Sequence, residues 1–159
     1  MKIFYLISVY MHILCASLWA GGMLFLVLVL LPAIKNHPER RMLLFNVGIK
    51  FRLAGWIALI ILLATGLFNM HYRGIGFASL NDSSYNRLFL YKLLLFSIVV
   101  IISIYHDFYI GPKSIKMMEQ TEQGSDTKRF VKTARIIGEL NLLLALIAVA
   151  LGILIVRGW

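Results

Sequence analysis

Four long apolar runs decide what this chain can become. They lie at roughly 3–33, 53–70, 88–105 and 136–156. Each meets or approaches the roughly 20 residues that a helix needs to cross the hydrocarbon core of a bilayer. In lipid no water is available to satisfy a free backbone amide, so the helix is the economical spanning structure for such runs. Composition agrees: 60% of the 159 residues are hydrophobic and only 14% are charged, against about 25% charged in soluble chains. The expected fold is all-α, an integral membrane four-helix bundle. It occupies residues 1–159 as a single domain, with spans at about 3–33, 50–71, 86–110 and 133–157.

Lys2 followed by apolar residues also resembles a secretory signal. A signal's apolar core is about 7–15 residues long, whereas this run continues to Leu31 and stops at Pro32. The first run is therefore expected to stay as a helix. The single cysteine, Cys15, sits in mid-span. No internal disulfide is open to it, and it reads as a small core-facing residue.

The formal charge of +9 is informative through its distribution. Lys35, Arg40, Arg41, Lys50 and Arg52 lie between the first two runs, and Lys113, Lys116, Lys128, Arg129, Lys132 and Arg135 between the last two. Together they are eleven of the sixteen basic residues. Positive charge stays on the cytoplasmic face, and anionic headgroups favour the same arrangement. Both termini and the 71–87 loop are then expected on the extracytoplasmic side, with the lipid bilayer as the chief partner. Nucleic acid is not expected, because no basic patch is interleaved with stacking aromatics. "KNHPERR" carries a His37-Pro38 turn signal. "EQTEQGSDTKRF" reads as a flexible loop, and "YRGIGFASLNDSSYN" as a short cap over the bundle. "RLAGW" at 52–56 and "RIIGE" at 135–139 place Arg and Gly at the same offset, a faint sign of a duplicated hairpin.

An ionisable side chain in hydrocarbon costs several kcal/mol, which makes each one a functional candidate by default. His12 lies about nine residues from the outer end of the first helix and Lys92 about five from that of the third, with His71 at the outer mouth of the second. His12, Cys15, Ala16 and Trp19 share one helical face, and Gly21 and Gly22 continue its thinning. Small residues of this kind let backbones approach or leave room for a flat cofactor. A buried histidine bonded to another helix is the bland reading of His12, and snorkelling to the interface is that of Lys92. Glu139 and Asn141 are expected to pair with Arg52 or Arg135. His106 and Asp107 near the cytoplasmic end read first as interfacial residues beside Tyr105 and Tyr109, and second as an inner site. Met11 and Met70 adjoin His12 and His71, but neighbours on a helix point about 100° apart and cannot chelate as dipeptides. His37 reads as a loop residue.

"MHILCASLWAGGMLF" is similar to the opening helix of CopD-type copper-resistance membrane domains, a histidine followed by Trp-x-Gly-Gly. "KFRLAGWIALIILLATGLF" resembles their second helix, with Phe51-Arg52 at entry and Thr65-Gly66 at exit, and "LYKLLLFSIVVIISIYHDFY" their third. The related HemJ-type protoporphyrinogen oxidases share the first-helix histidine and the third-helix Lys-Leu, although "MLFLVLVLLPAI" lacks that family's stretch after the Gly pair. The resemblance implies a bacterial inner-membrane protein with b-type haem held by His12 and Lys92, or copper uptake of CopD type.

Two functions follow. In the first, haem b sits among Trp19, Gly22 and the axial candidates His12, Lys92 (if deprotonated) and His71. Arg73, Arg87 or Tyr85 would hold propionates, and electrons would pass from a quinol-type donor or another redox partner, the chemistry being the cofactor's. In the second, Cu(I) is taken by soft or imidazole ligands from Met11, His12, Cys15, Met70 and His71. The enzyme question, and assembly into a homo-oligomer, stay open on both.

Overall fold

A computed structural model of the chain describes residues 2–111, 113 and 125–158. All regular elements among the described residues are helical: α1 (Lys2–Ala33), α2 (Arg40–Tyr72), α3 (Ser84–Ile110) and α4 (Ser125–Arg157), with a short 3₁₀ turn at Phe77–Ser79. Each of the four long helices carries a window long and apolar enough to span a membrane. Most large apolar side chains face outward, as lipid-facing surfaces do: Leu28 is 67% exposed and Ile60 65%. The chain forms two antiparallel hairpins, α1 with α2 and α3 with α4, which meet chiefly through α1 and α4. Cys15, Trp19 and Ala20, Ala58, Leu59 and Leu62, Val99, and Ala145 fill the centre.

Two helices begin earlier than their apolar windows suggest. α2 starts at Arg40 rather than near 50, and α4 at Ser125 rather than near 133. Lys and Arg are good helix formers, so basic residues end the membrane-spanning run without ending the helix. The second half of "EQTEQGSDTKRF" is therefore helix, while residues 119–124 lie outside the described residues. The His37-Pro38 turn is present: the backbone amides of Lys35, His37 and Arg40 donate to Pro32, Ile34 and His37, and the Glu39 amide donates to His37 Nδ1 at 3.1 Å.

Wide π turns occupy Leu26–Leu30 and His106–Ile110. Each ends two residues before a proline in the sequence, Pro32 and Pro112. Proline has no N–H to give and crowds the carbonyl four residues back. In α1 the helix responds by lengthening its bonds, with the Leu31 amide reaching Leu26. In α3 the Gly111 amide likewise reaches the His106 carbonyl.

At the end that carries both termini, α2 closes with a Schellman motif. Gly74 takes φ +77°, its amide donates to His71, and the Ile75 amide donates to Met70. Met70, Ile75 and Leu80 are buried together, the apolar contact that accompanies this cap. Ser83 then caps α3, accepting from the Asn86 amide at 3.0 Å. Arg73 fastens the cap to three helices, donating to Tyr5 at 3.2 Å, to Tyr85, and to the Ile155 carbonyl at 3.5 Å. Burial works against its charge, but the two phenols more than offset it, so its pKa is raised. Arg73→Ala is expected to speed amide hydrogen exchange across residues 74–83 while leaving the mid-span segments of α1 and α2 unchanged. Uniform exchange across the chain would show that Arg73 has no special hold on the cap.

Candidate functional site

In each hairpin a glycine of one helix seats a polar or aromatic side chain of the other. In the first, the His12 ring lies on Gly66, where an added Cβ would stand 3.4 Å from Cε1, and Trp19 lies on Gly55 at 3.5 Å. In the second, Lys92 lies on Gly152, with Nζ 2.9 Å from an added Cβ, and His106 on Gly138 at 3.8 Å. The Arg-x-x-Gly offset seen at 52–55 and 135–138 marks two of these seats.

His12 is about 15 Å along α1 from Lys2, at the usual 1.5 Å rise per residue. Its Nδ1 lies 2.8 Å from Thr65 Oγ1. That hydroxyl has one proton, which it gives to the Ile61 carbonyl at 2.6 Å. It must therefore accept from the imidazole, and the Leu62 carbonyl, also within reach of the ring, can only accept as well. The proton of a neutral His12 accordingly sits on Nδ1, and Nε2 keeps a free lone pair. An outer partner that fixes the tautomer in this way is how proteins prepare histidine as a metal ligand. Lys92 on α3 is near enough for its charge to act on the ring.

Sequence reasoning did not single out two neighbours of this pair. Ser8 is four residues before His12, and Asn69 four after Thr65, so each shares the face of its partner. Ser8 Oγ and Asn69 Oδ1 are buried without a hydrogen-bond partner. The i, i+4 spacing in the sequence was the available signal. Cys15, one turn below His12 on the same face, is buried at 6% exposure, and Met23 packs against the same core.

Other expected site residues lie elsewhere. Trp19 is buried in the core. Gly22 is covered by Phe51, whose Cε2 would be 2.3 Å from an added Cβ; the thin place in α1 is filled by α2 rather than left for a guest. His71 is exposed on an open groove of about 520 Å³ with Phe4, Phe68 and Tyr72. The guanidinium groups are also spoken for: Arg73 holds the cap, and Arg87 is exposed and bonds Ser84 Oγ at 2.9 Å. Tyr85 donates to the Ile155 carbonyl at 3.2 Å. Glu139 pairs with Arg135 at 2.7 Å as expected, but Arg52 donates to the Asp107 carbonyl at 3.0 Å and Asn141 to Ser103 at 2.9 Å.

A haem needs a flat apolar slot beside its ligands. Along the α1–α2 seam the small positions toward the basic end are filled, with Trp19 on Gly55 and Phe51 on Gly22, and both arginines assigned to propionates have protein partners. The thin places of this seam toward its basic end are thus taken by protein rings and not left for a macrocycle. Among the described residues no three His, Cys, Asp or Glu side chains gather for a metal ion.

Residues 45–155 match the family model of CopD, copper resistance protein D. A protein of Aquifex aeolicus (strain VF5), described only as an uncharacterized protein, is 34% identical over 152 residues, covering 94% of this chain and 94% of its own. No solved structure matches.

Proposed function

Since the chain belongs to the copper resistance protein D (CopD) family, we propose that it is a multi-pass membrane protein whose cargo is monovalent copper, with His12 as the receiving ligand. The observation that carries this reading is the state of His12, whose Nδ1 is committed to Thr65 while Nε2 keeps its lone pair. Cu(I) accepts two or three ligands and favours imidazole, thiolate and thioether. Cys15 and Met23 supply sulfur further along the same helix, toward the basic end. Ser8 and Asn69 are polar steps from the terminal end to His12. Lys92 enters as a neutral amine, since a positive charge beside the ring would oppose a bound cation. With the basic ends cytoplasmic, His12 receives the ion from outside the cytoplasmic membrane.

The test is a titration of purified protein with Cu(I) against a chromophoric chelator, together with a visible spectrum. One Cu(I) per chain in a colourless preparation is the expected result. A Soret band with a sharp reduced α-band, and no retention of copper, would overturn the reading in favour of haem.

A further inference from the structure

Outside His12 the α1–α2 seam keeps one register. Tyr5 stacks on Tyr72 with ring centroids 4.3 Å apart and planes 11° from parallel, and His12 Nδ1 lies 2.8 Å from Thr65 Oγ1. The two contacts are seven residues apart on each helix, and the helices run antiparallel. Ser8 and Asn69, each four residues from the inner contact, therefore fall opposite one another between the two. Ser8 is about 9 Å along α1 from Lys2, at 1.5 Å per residue. Ser8 Oγ and Asn69 Oδ1 are both buried, and neither has a hydrogen-bond partner. We infer that these two oxygens, one from each helix, hold a single water molecule in the seam.

Other hydroxyls in these helices find a partner on their own backbone. Thr65, Ser97 and Thr133 each give their proton to the carbonyl four residues back, at 2.6, 3.0 and 3.0 Å, a common arrangement for a hydroxyl within a helix. Ser8 makes no such bond with the Phe4 carbonyl, nor does it bond Asn69 directly. The neighbours on either side are already engaged. Thr65 gives to Ile61 and accepts from His12, and the Tyr5 hydroxyl accepts from Arg73 at 3.2 Å. Buried polar atoms left without partners are rare in folded proteins, and an internal water is the usual remedy.

The chemistry of the pair selects water over an ion. A buried water needs about two to four polar partners. The Ser8 hydroxyl donates to it, and it gives one proton to the Asn69 carboxamide oxygen, which can only accept. A hard cation takes about six oxygen ligands, carboxylates among them, whereas two oxygens face this seam and neither α1 nor α2 carries an Asp or Glu. An anion would meet the Asn69 oxygen with like polarity. The water keeps a proton and a lone pair beyond these two bonds. His12 lies one turn further along the same face of α1, so the site stations one solvent oxygen a turn outside the imidazole. It rests on Ser8 and Asn69 alone, whatever His12 binds.

The experiment is a crystal structure of the full-length protein in a lipid mesophase, at a resolution that shows ordered waters, beside a double-mutant cycle in detergent. A solvent peak within hydrogen-bond distance of both Ser8 Oγ and Asn69 Oδ1 is expected. A dry seam would overturn the inference, as would a Ser8 hydroxyl bonded to the Phe4 carbonyl or directly to Asn69. A peak ringed by about six oxygens would overturn it in favour of a cation. In the cycle, Ser8→Ala and Asn69→Leu each strand the group that remains, and each is expected to lower the folding equilibrium constant about tenfold. The double variant has no oxygen left to strand, so it is expected to lose no more than either single one. Losses that multiply would mean that the two residues share nothing. The peak is sought in unsubstituted protein, so it decides the matter even where the variants fail to fold.

Discussion

Replacing His12 by glutamine is expected to weaken Cu(I) binding by at least about a hundredfold, since it removes the receiving nitrogen and not merely its support. Thr65→Val gives the sharper test. Valine keeps the shape of threonine but offers no hydroxyl, so the His12 Nδ1–H loses the acceptor now 2.8 Å away. The ring is then free to turn, or to move its proton to the nitrogen that copper needs. Loss of such an orienting partner costs about 10–100-fold in metal affinity. About tenfold is expected here, because the Leu62 carbonyl still lies within reach of the ring. Thr65→Ser, which restores the hydroxyl, should bind as the native protein does. All three are measured by chelator competition on solubilised protein. Unchanged affinity in His12→Gln would place the copper elsewhere in the chain. A native affinity in Thr65→Val beside a defective His12→Gln would leave the ligand assignment standing and remove the orienting role.

The four spans were legible because hydropathy and backbone satisfaction act on any single sequence, with no need of tertiary knowledge. The helix starts were less so. Arg40 and Ser125 begin helices well outside the apolar windows, since a charged residue excludes a segment from lipid without excluding it from a helix. At the site, the identity of His12 and Lys92 as costly polar groups could be read from depth alone. Their surroundings could not. Gly22 announces that something approaches α1 closely, but only the fold says that it is Phe51 and not a cofactor. Arg73 looks free for an anionic guest until Tyr5 and Ile155, 68 and 82 positions away, are brought to it. His106 and Asp107 look interfacial in a regular helix, where neighbours diverge. In the π turn they bond each other, with His106 against Gly138 of α4 and Asp107 accepting from Trp56 of α2. The shared Arg-x-x-Gly offset, which sets Gly138 against His106, was the sequence signal for that seat.

The two adjacent glycines of α1 should respond oppositely to the same change. At Gly21 an added Cβ meets nothing within 4 Å, whereas at Gly22 it would stand 2.3 Å from Phe51 Cε2 and 3.0 Å from Cζ. Leucine at position 21 points into lipid-facing space and replaces a poor helix former with a good one. Gly21→Leu is therefore expected to leave the thermal midpoint of solubilised protein unchanged or slightly raised. Gly22→Leu drives a whole side chain into a ring that fills the seam. Overpacking of this kind costs about 1–3 kcal/mol, occasionally more, and the upper end is expected because the ring lies between two backbones. The partner decides whether the cause is steric. With Phe51→Ala the leucine has the ring's place to occupy, so the double variant should recover at least about 1 kcal/mol relative to the sum of the single changes. Additive losses would mean that Gly22 is needed for its backbone and not for the room it gives Phe51.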